Sequence, residues 1–303
     1  MGSLSSIAAG ARVVPRDATE FPARLAAVPD APERLYAVGR LPDAPAVAVV
    51  GARAATGRAM ATAYELARDL AAAGYAIVSG GAVGVDAAAH RGAVDAGGAT
   101  VAVQACGLDV AYPARHRPLF ADIVAAGGAL VSPYRAGVPP RRYQFVRRNR
   151  IVAGWAAAVV VVEADRASGS LYTARAALDY GRPLAAVPGS PGCDALVAEG
   201  AAVVAGAADV EAAIAGRPRK PDVALPEPGS EEAAVLAALD RGQARDAGAL
   251  AQRCGLPART VARALMGLEL AGLAVAVPGR AYVRSAVAVA ALAGTAGHGA
   301  PAA

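Results

Sequence analysis

Aromatic side chains make up only 4% of the 303 residues: nine Tyr, three Phe and one Trp. A core built from this chain must be aliphatic, and a 55% apolar composition dominated by Ala and Val supplies one. The three cysteines, Cys106, Cys193 and Cys254, are odd in number, far apart and without metal-ligand spacing. That excludes a disulfide framework and points to small buried thiols in a reduced, cytoplasmic protein. No apolar run is long enough to cross a bilayer and no basic-then-apolar leader is read, so no membrane partner is expected. With His90, His116 and His298 as the only histidines, no Ser/His/Asp constellation forms. Lysine is nearly missing too: of 30 basic residues only Lys220 is not Arg. So general a bias carries no argument by itself, and the net charge of +5 is modest. The distribution of charge matters more. Between Ile123 and Val162 there is no Asp or Glu.

Inside that acid-free stretch six arginines fall between Arg135 and Arg150, with Tyr143 and Phe145 interleaved. Such a run is commonly a solvated face, but three features argue for a site. Guanidinium forks suit phosphate oxygens. Aromatic faces stack on unpaired bases. The apolar run Ala157–Glu163 then leads to Ser168-Gly169-Ser170 and a helical pattern from Leu171, and a helix start offers N–H groups and a positive dipole end to an anion. A polyanion is expected here, and single-stranded nucleic acid fits best.

Read in order, residues 1–46 hold six prolines and one short helical pattern near Phe21–Ala27, and 1–29 read as a lead-in. Strand-like runs then alternate with helical patterns: Ala46–Val50, Tyr75–Val78, Thr100–Gln104, Ala129–Val131, Ala157–Glu163, Pro183–Val187 and Ala201–Val204. Short connections between them mean parallel pairing with helices on both faces, and ligands at the carboxyl ends of the strands. This α/β domain is expected over 30–215. The dinucleotide fingerprint G-x-G-x-x-G is absent after Gly51, so neither NAD nor any other cofactor is expected. Pro218, Pro221, Pro226 and Pro228 mark a linker over 216–230. Helical patterns at Glu231–Leu239, Ala247–Cys254 and Ala258–Ala271 with a hairpin through Arg284 describe a winged helix over 231–284. Its third helix shows only Arg259 and Arg263, which leaves nucleic-acid contact and protein docking equally open. Residues 285–303 read as a flexible tail.

These motifs resemble the DprA/Smf family of DNA-processing proteins of natural transformation. The resemblance spans roughly 30–210 and rests on Val50-Gly-Ala-Arg53, on Ser79-Gly-Gly-Ala-Val-Gly-Val-Asp86-Ala-Ala-Ala-His90 and on Cys106-Gly-Leu-Asp109-Val-Ala-Tyr112-Pro113. It continues through Phe145-Val-Arg-Arg-Asn-Arg150, Ser168-Gly-Ser-Leu-Tyr-Thr-Ala174 and Gly181–Gly189. It implies an extended Rossmann-like sheet domain, homodimerisation, sequence-independent binding and protection of single-stranded DNA, and delivery of that DNA to the recombinase RecA without catalysis. It also implies phosphate contacts at Arg53, Ser79, Gly80, Gly81, Arg147, Arg148, Asn149, Ser168, Gly169 and Ser170, with Phe145 as the stacking ring. Two departures stand out: Ala52 where the family usually has Ser, and His116 where Asn is common. Asp86 and His90 at i, i+4 read as a helix-to-loop hydrogen bond rather than an acid/base pair, Tyr112 as a wall residue, and Glu163 as a group orienting an arginine. The alternative is an enzyme resembling nucleotide-monophosphate phosphoribohydrolases, but the Ser168 turn is followed by no acid before Asp179.

Overall fold

In a computed structural model the described residues are 10–217, 224–240, 243–277, 279–285, 287–289 and 291–292. The chain divides into two compact units, residues 1–193 with 204–218, and 194–203 with 219–303. Part of the expected linker, 218–223, and the last part of the expected tail, 293–303, lie outside the described residues.

The first unit is built on a mostly parallel sheet. Its strands are β1 (Arg12–Pro15), β2 (Arg34–Gly39), β3 (Ala46–Val50), β4 (Ala76–Ser79), β5 (Thr100–Val103), β6 (Ala129–Ser132), β7 (Ala158–Val161) and β8 (Leu184–Ala186). They run in the order β1-β2-β6-β5-β4-β3-β7-β8. Every residue of β3 through β8 is buried. Helices cover both faces of these strands, which is why they read as unbroken Ala/Val runs rather than alternating ones. The two-residue strand β9 (Ala202–Val203) closes the α/β pattern.

β3 pairs with β4 on one side and β7 on the other, both parallel. The connection leaving β3 builds β4, β5 and β6 on one flank, and the chain then crosses to β7 on the other. Above the carboxyl ends of β3 and β7 the loops therefore diverge, and a crevice opens there.

Residues 1–9 of the expected lead-in lie outside the described residues, and Arg12–Pro15 is instead part of this sheet. β2 pairs antiparallel with β6 and β1 antiparallel with β2. Prolines hid these strands: Pro15 ends β1, and the other five lie outside both strands. The short helix α1 (Ala23–Ala26) lies where it was read.

Helices flanking the central strands carry or position the loops of the crevice. In α2 (Gly57–Ala72) the Thr56 hydroxyl accepts the Ala59 N–H at 3.1 Å as N-cap, and Ala59, Ala63, Leu66, Ala67 and Leu70 form the buried stripe. α3 (Val85–Asp95) begins after Gly84, whose φ is +80°. A Cβ there would lie 2.3 Å from the Ala52 carbonyl oxygen. Only glycine lets this turn press so closely on the loop after β3. α4 (Arg117–Ala125) covers β5 and β6, and α5 (Arg142–Trp155) crosses from β6 to β7. α6 (Leu171–Asp179), α7 (Pro191–Ala198) and α8 (Ala207–Ile214) complete the alternation.

Beside 194–203, the second unit holds the winged helix. α9 (Glu231–Ala238) is capped by Ser230 and α10 (Ala247–Cys254) by Asp246, each side chain accepting an N–H of the first turn. α11 (Ala258–Leu270) buries Val261, Leu265 and Leu268. The wing is a small sheet of β10 (Arg245–Asp246), β12 (Ala281–Arg284) and β11 (Ala274–Val277), in that order. Arg263 of α11 is paired with Glu231. The expected flexible tail is corrected at its start: Ala288 is fully buried in this core. Among the described residues no helix is long and apolar enough to cross a membrane.

His90 on α3 is buried, with Nδ1 2.7 Å from the Thr100 hydroxyl. That hydroxyl donates to the Ile77 carbonyl at 2.9 Å, so Nδ1 carries the proton and donates to Thr100. Burial above all pulls its pKa down to about 3, with His116 and Arg148 adding to the shift. The unfolded chain takes up a proton on this ring as pH falls below about 6.5, while the folded chain does not until about 3. The folded state is therefore destabilised by acidification across that window, by up to about 1.4 kcal/mol per pH unit. Thermal melts between pH 7 and 5 should show a shallower pH slope in His90→Gln than in the parent.

Candidate nucleic-acid interface

The crevice is a cleft of about 1120 Å³, lined among others by Arg53, Thr56, Phe145, Arg148, Glu163 and Ser168. Its organiser is α5. The sequence run is a helix from Arg142 onward, a conclusion its composition did not offer. Phe145, Arg148, Asn149 and Val152 stand at i, i+3, i+4 and i+7 and so share the side that lines the cleft. Arg141, Arg142, Tyr143 and Arg147 are exposed. Arg150 ties down the structure elsewhere: it pairs with Asp30 and, at 3.1 Å, with Asp179, and lies over the Tyr180 ring.

Arg148 is 5% exposed. Its Nη1 donates to the carbonyls of Gly80 and, at 3.0 Å, Val103, and its Nε to Asn149 Oδ1 at 3.0 Å. Burial holds its pKa below the usual arginine range, against the pull of Asp86. Asp86 is equally buried, and burial raises its pKa against the pull of Arg148 and two backbone N–H groups. Those two are Gly80 N–H at 3.1 Å and Ala82 N–H at 3.3 Å. Gly80 thus sits between the two charged groups, where a Cβ would lie 2.1 Å from Arg148 Nη1 and 2.7 Å from Asp86 Oδ2.

This changes the reading of several expected contacts. Ser79 is fully buried and its hydroxyl donates to the Val49 carbonyl at 2.7 Å. Gly81 is buried, and its carbonyl accepts from His116 Nδ1 at 3.0 Å. Of the three turn residues only Gly80 lines the cleft, and its N–H is held by Asp86. Arg147 faces away, over the Tyr134 ring at 5.7 Å. Asn149 bridges inward: while accepting from Arg148 it donates through Nδ2 to the Gly169 carbonyl at 3.0 Å. Ser170 is buried, its hydroxyl 2.8 Å from that of Ser168. Leu171 and Thr173, at the start of α6, donate to Ser168 and Ser170 carbonyls, so that helix end is partly closed by its own turn. The Ser168 hydroxyl and exposed Gly169 remain on the cleft.

Phe145 occupies the mouth. Arg53 lies over its ring at 5.1 Å and Arg148 at 5.7 Å, and the Tyr112 ring is 5.4 Å away, tilted by 58°. Tyr143 and Tyr172 also line the cleft, 64% and 58% exposed. Glu163 does not orient an arginine. Its carboxylate accepts the Thr56 N–H at 3.0 Å and the Thr56 hydroxyl at 2.6 Å, and its carbonyl accepts the Ala52 N–H at 2.7 Å. It clamps the loop that carries Arg53. Sequence reasoning passed over Thr56 and left Tyr112 as a wall. The one available signal for Thr56 was its position before a helical pattern, where a hydroxyl caps. Among the described residues no group of three or more His, Cys, Asp or Glu is placed to hold a metal ion.

Replacing Arg148 by Ala leaves two strand-end carbonyls without their donor and Asp86 without its counter-charge. The folded state should lose about 3 kcal/mol, read as a lowered melting temperature without any ligand. Glu163→Ala gives a test of sign. It removes a negative charge from the cleft, which by Coulomb's law alone favours an anion. If the clamp matters more, affinity for a polyanion should fall by a factor of about five, one lost hydrogen bond, and an affinity gain in a binding titration would show that the charge dominates.

The family model described as DNA recombination-mediator protein A matches residues 12–215, and the DprA winged helix domain model matches 219–280. Protein Smf of Escherichia coli K12 is 36% identical over 288 residues, covering 90% of this chain and 77% of its own. A putative DNA processing protein DprA of Mycobacterium tuberculosis is 43% identical over 247 residues, 78% of this chain and 63% of that protein. Among solved structures, DprA of Streptococcus pneumoniae aligns with a TM-score of 0.63 at 36% identity, over 69% of this chain and 76% of that one. DNA processing protein A of Helicobacter pylori, whose structure is described in terms of its single-stranded DNA binding mode, aligns at 0.59 with 31% identity, over 66% of this chain and 94% of that one.

Proposed function

Since the chain belongs to the DprA/Smf family, we propose that it binds single-stranded DNA without regard to sequence, shields it, and passes it to a RecA recombinase. The reading has the protein acting as a homodimer in the cytoplasm, without catalysis. The observation that carries the DNA-binding step is the Phe145 ring at the cleft mouth, flanked by the Arg53 and Arg148 guanidiniums and Tyr112. The relative from Helicobacter pylori supports the choice of ligand. Shielding, handover and dimerisation rest on family membership alone.

The steps follow from the magnitudes. Arg53 is exposed and held over the ring by a cation–π contact worth about 0.5–1 kcal/mol at such sites. A base stacked on an aromatic side chain is worth about 1–3 kcal/mol. An incoming base therefore displaces the Arg53 guanidinium, which turns to a phosphate. Exposed Arg142 continues the phosphate track, and Tyr143 and Tyr172 offer further stacking faces. Every base has a π-face, so this mode is tolerant of sequence. Arg148, with its Nε and Nη1 committed to the fold, contributes its charge from below.

The phosphoribohydrolase alternative draws no support from the site. The strand-end carboxylate of Glu163 has both oxygens engaged by Thr56. The next acid after the Ser168 turn, Asp179, ends α6 in an ion pair with Arg150.

Phosphate contacts release counterions, so log affinity for oligo-dT should fall with log salt by about 0.7 per neutralised phosphate of a single strand. Arg53→Ala should weaken binding and make that slope shallower by about 0.7. Phe145→Ala should cost about 1–3 kcal/mol and leave the slope unchanged. Anisotropy titrations at several salt concentrations decide between this division of labour and a diffuse electrostatic surface, for which Phe145→Ala would leave both affinity and slope unchanged.

A further inference from the structure

The outward course of Arg147 leaves one member of the basic run without a task. It borders a second recess, of about 420 Å³, which shares no lining residue with the cleft. Arg34 and Arg135 line the recess beside it, and Pro32, Tyr36 and Val138 are among its apolar lining. The antiparallel register of β2 and β6, with Tyr36 opposite Ser132, brings Arg34 level with the loop that carries Arg135. All three arginines are exposed. Among the described residues neither Arg135 nor Arg147 makes an ion pair, and Arg34 meets only Glu33, at 3.8 Å with both groups largely in water. The loop after β6 is already fixed in shape. The Asp109 carboxylate accepts the Gly137 N–H at 2.9 Å, the Val138 carbonyl accepts the Gly107 N–H at 2.9 Å, and the Ser132 hydroxyl accepts the Tyr134 N–H at 3.0 Å. A surface ordered in advance loses little entropy on binding.

We propose that this recess docks an acidic segment of a partner protein, one that carries an apolar side chain next to its carboxylates. Guanidinium forks take carboxylates in two-point contacts, and clustered arginines are a recurring reader of acidic motifs. Pro32, Tyr36 and Val138 receive the apolar side chain. A nucleic-acid strand suits the recess less well. Its bases need ring faces to stack on. Here Arg147 already lies over the Tyr134 ring at 5.7 Å, and Tyr36 packs against the core around Leu119 and Phe120 of α4. Glu33, exposed on the same lining, opposes an unbroken run of phosphates, whereas a peptide offers it N–H groups. Recess and cleft have separate linings, so partner and strand can be held at once.

The test is an anisotropy titration of the full chain against a fluorescein-labelled peptide of four aspartates followed by Leu-Phe. The parent protein should bind it. The same peptide with Asn in place of Asp, or with Ser-Ser in place of Leu-Phe, should bind about tenfold more weakly. Replacing Arg34 and Arg147 together by Ala should weaken the acidic peptide by about tenfold. Saturating oligo-dT should leave the peptide bound, and Arg34→Ala should hold oligo-dT as the parent does. No binding by the parent, equal binding of the Asn peptide, or an unchanged affinity in the double variant overturns the inference and leaves single-strand binding standing. Displacement of the peptide by oligo-dT, with a matching loss of oligo-dT affinity in Arg34→Ala, overturns it too and gives the recess to the strand. The peptide comparisons are made on the parent protein, so they decide the matter even if a variant fails to fold.

Discussion

The Arg148 guanidinium draws the carboxyl ends of β4 and β5 onto α5 by accepting burial. A charge taken out of water is costly unless its surroundings answer it. Here the carbonyls of Gly80 and Val103, the Asn149 side chain and the nearby Asp86 carboxylate do so. Through Asn149 the same network reaches the Gly169 carbonyl, and through Gly80 it reaches the turn after β4. Three loops of the cleft are therefore referenced to one side chain. Phe145, one helical turn earlier, inherits its position from that anchor.

The arginine run divides its labour by helical geometry. Arg148 points in and organises, while Arg150 fastens the N-terminal segment and the end of α6. Arg141, Arg142 and Arg147 remain in water. A sequence lists these as one basic tract, whereas the fold gives them separate tasks. Of the acids, Asp86 and Glu163 shape turns from beneath, while Asp165 stands exposed on the cleft lining.

Much of this was legible in advance. β3 and the start and end of α6 coincide with their sequence patterns, the first as an unbroken apolar run ended by Gly51 and the second as a helical pattern opened by Ser168-Gly169-Ser170. The parallel pairing of β3 through β8 followed from the alternation, though their order did not. β1 and β2 did not, since a short antiparallel edge strand among prolines has no distinctive signature. The helix at Arg142 was hidden because its buried face includes Gln144 and Arg148, polar residues that a hydrophobic pattern does not count. Arg53, Phe145, Arg148 and Ser168 were correctly brought to one place. The burial of Ser79 and the outward course of Arg147 depend on which face each backbone turn presents, and no spacing rule supplies that.

Gly84 carries a consequence for how such a protein changes over generations. With its α-carbon pressed toward the Ala52 carbonyl and Val85 against Gly51, the loops after β3 and β4 share one contact surface. Residues that touch couple in their effects rather than add. The effect of a change in one loop thus depends on the state of the other. On the far wall of the cleft a Cβ at Gly169 would meet nothing within 4 Å, so no such mutual constraint acts there.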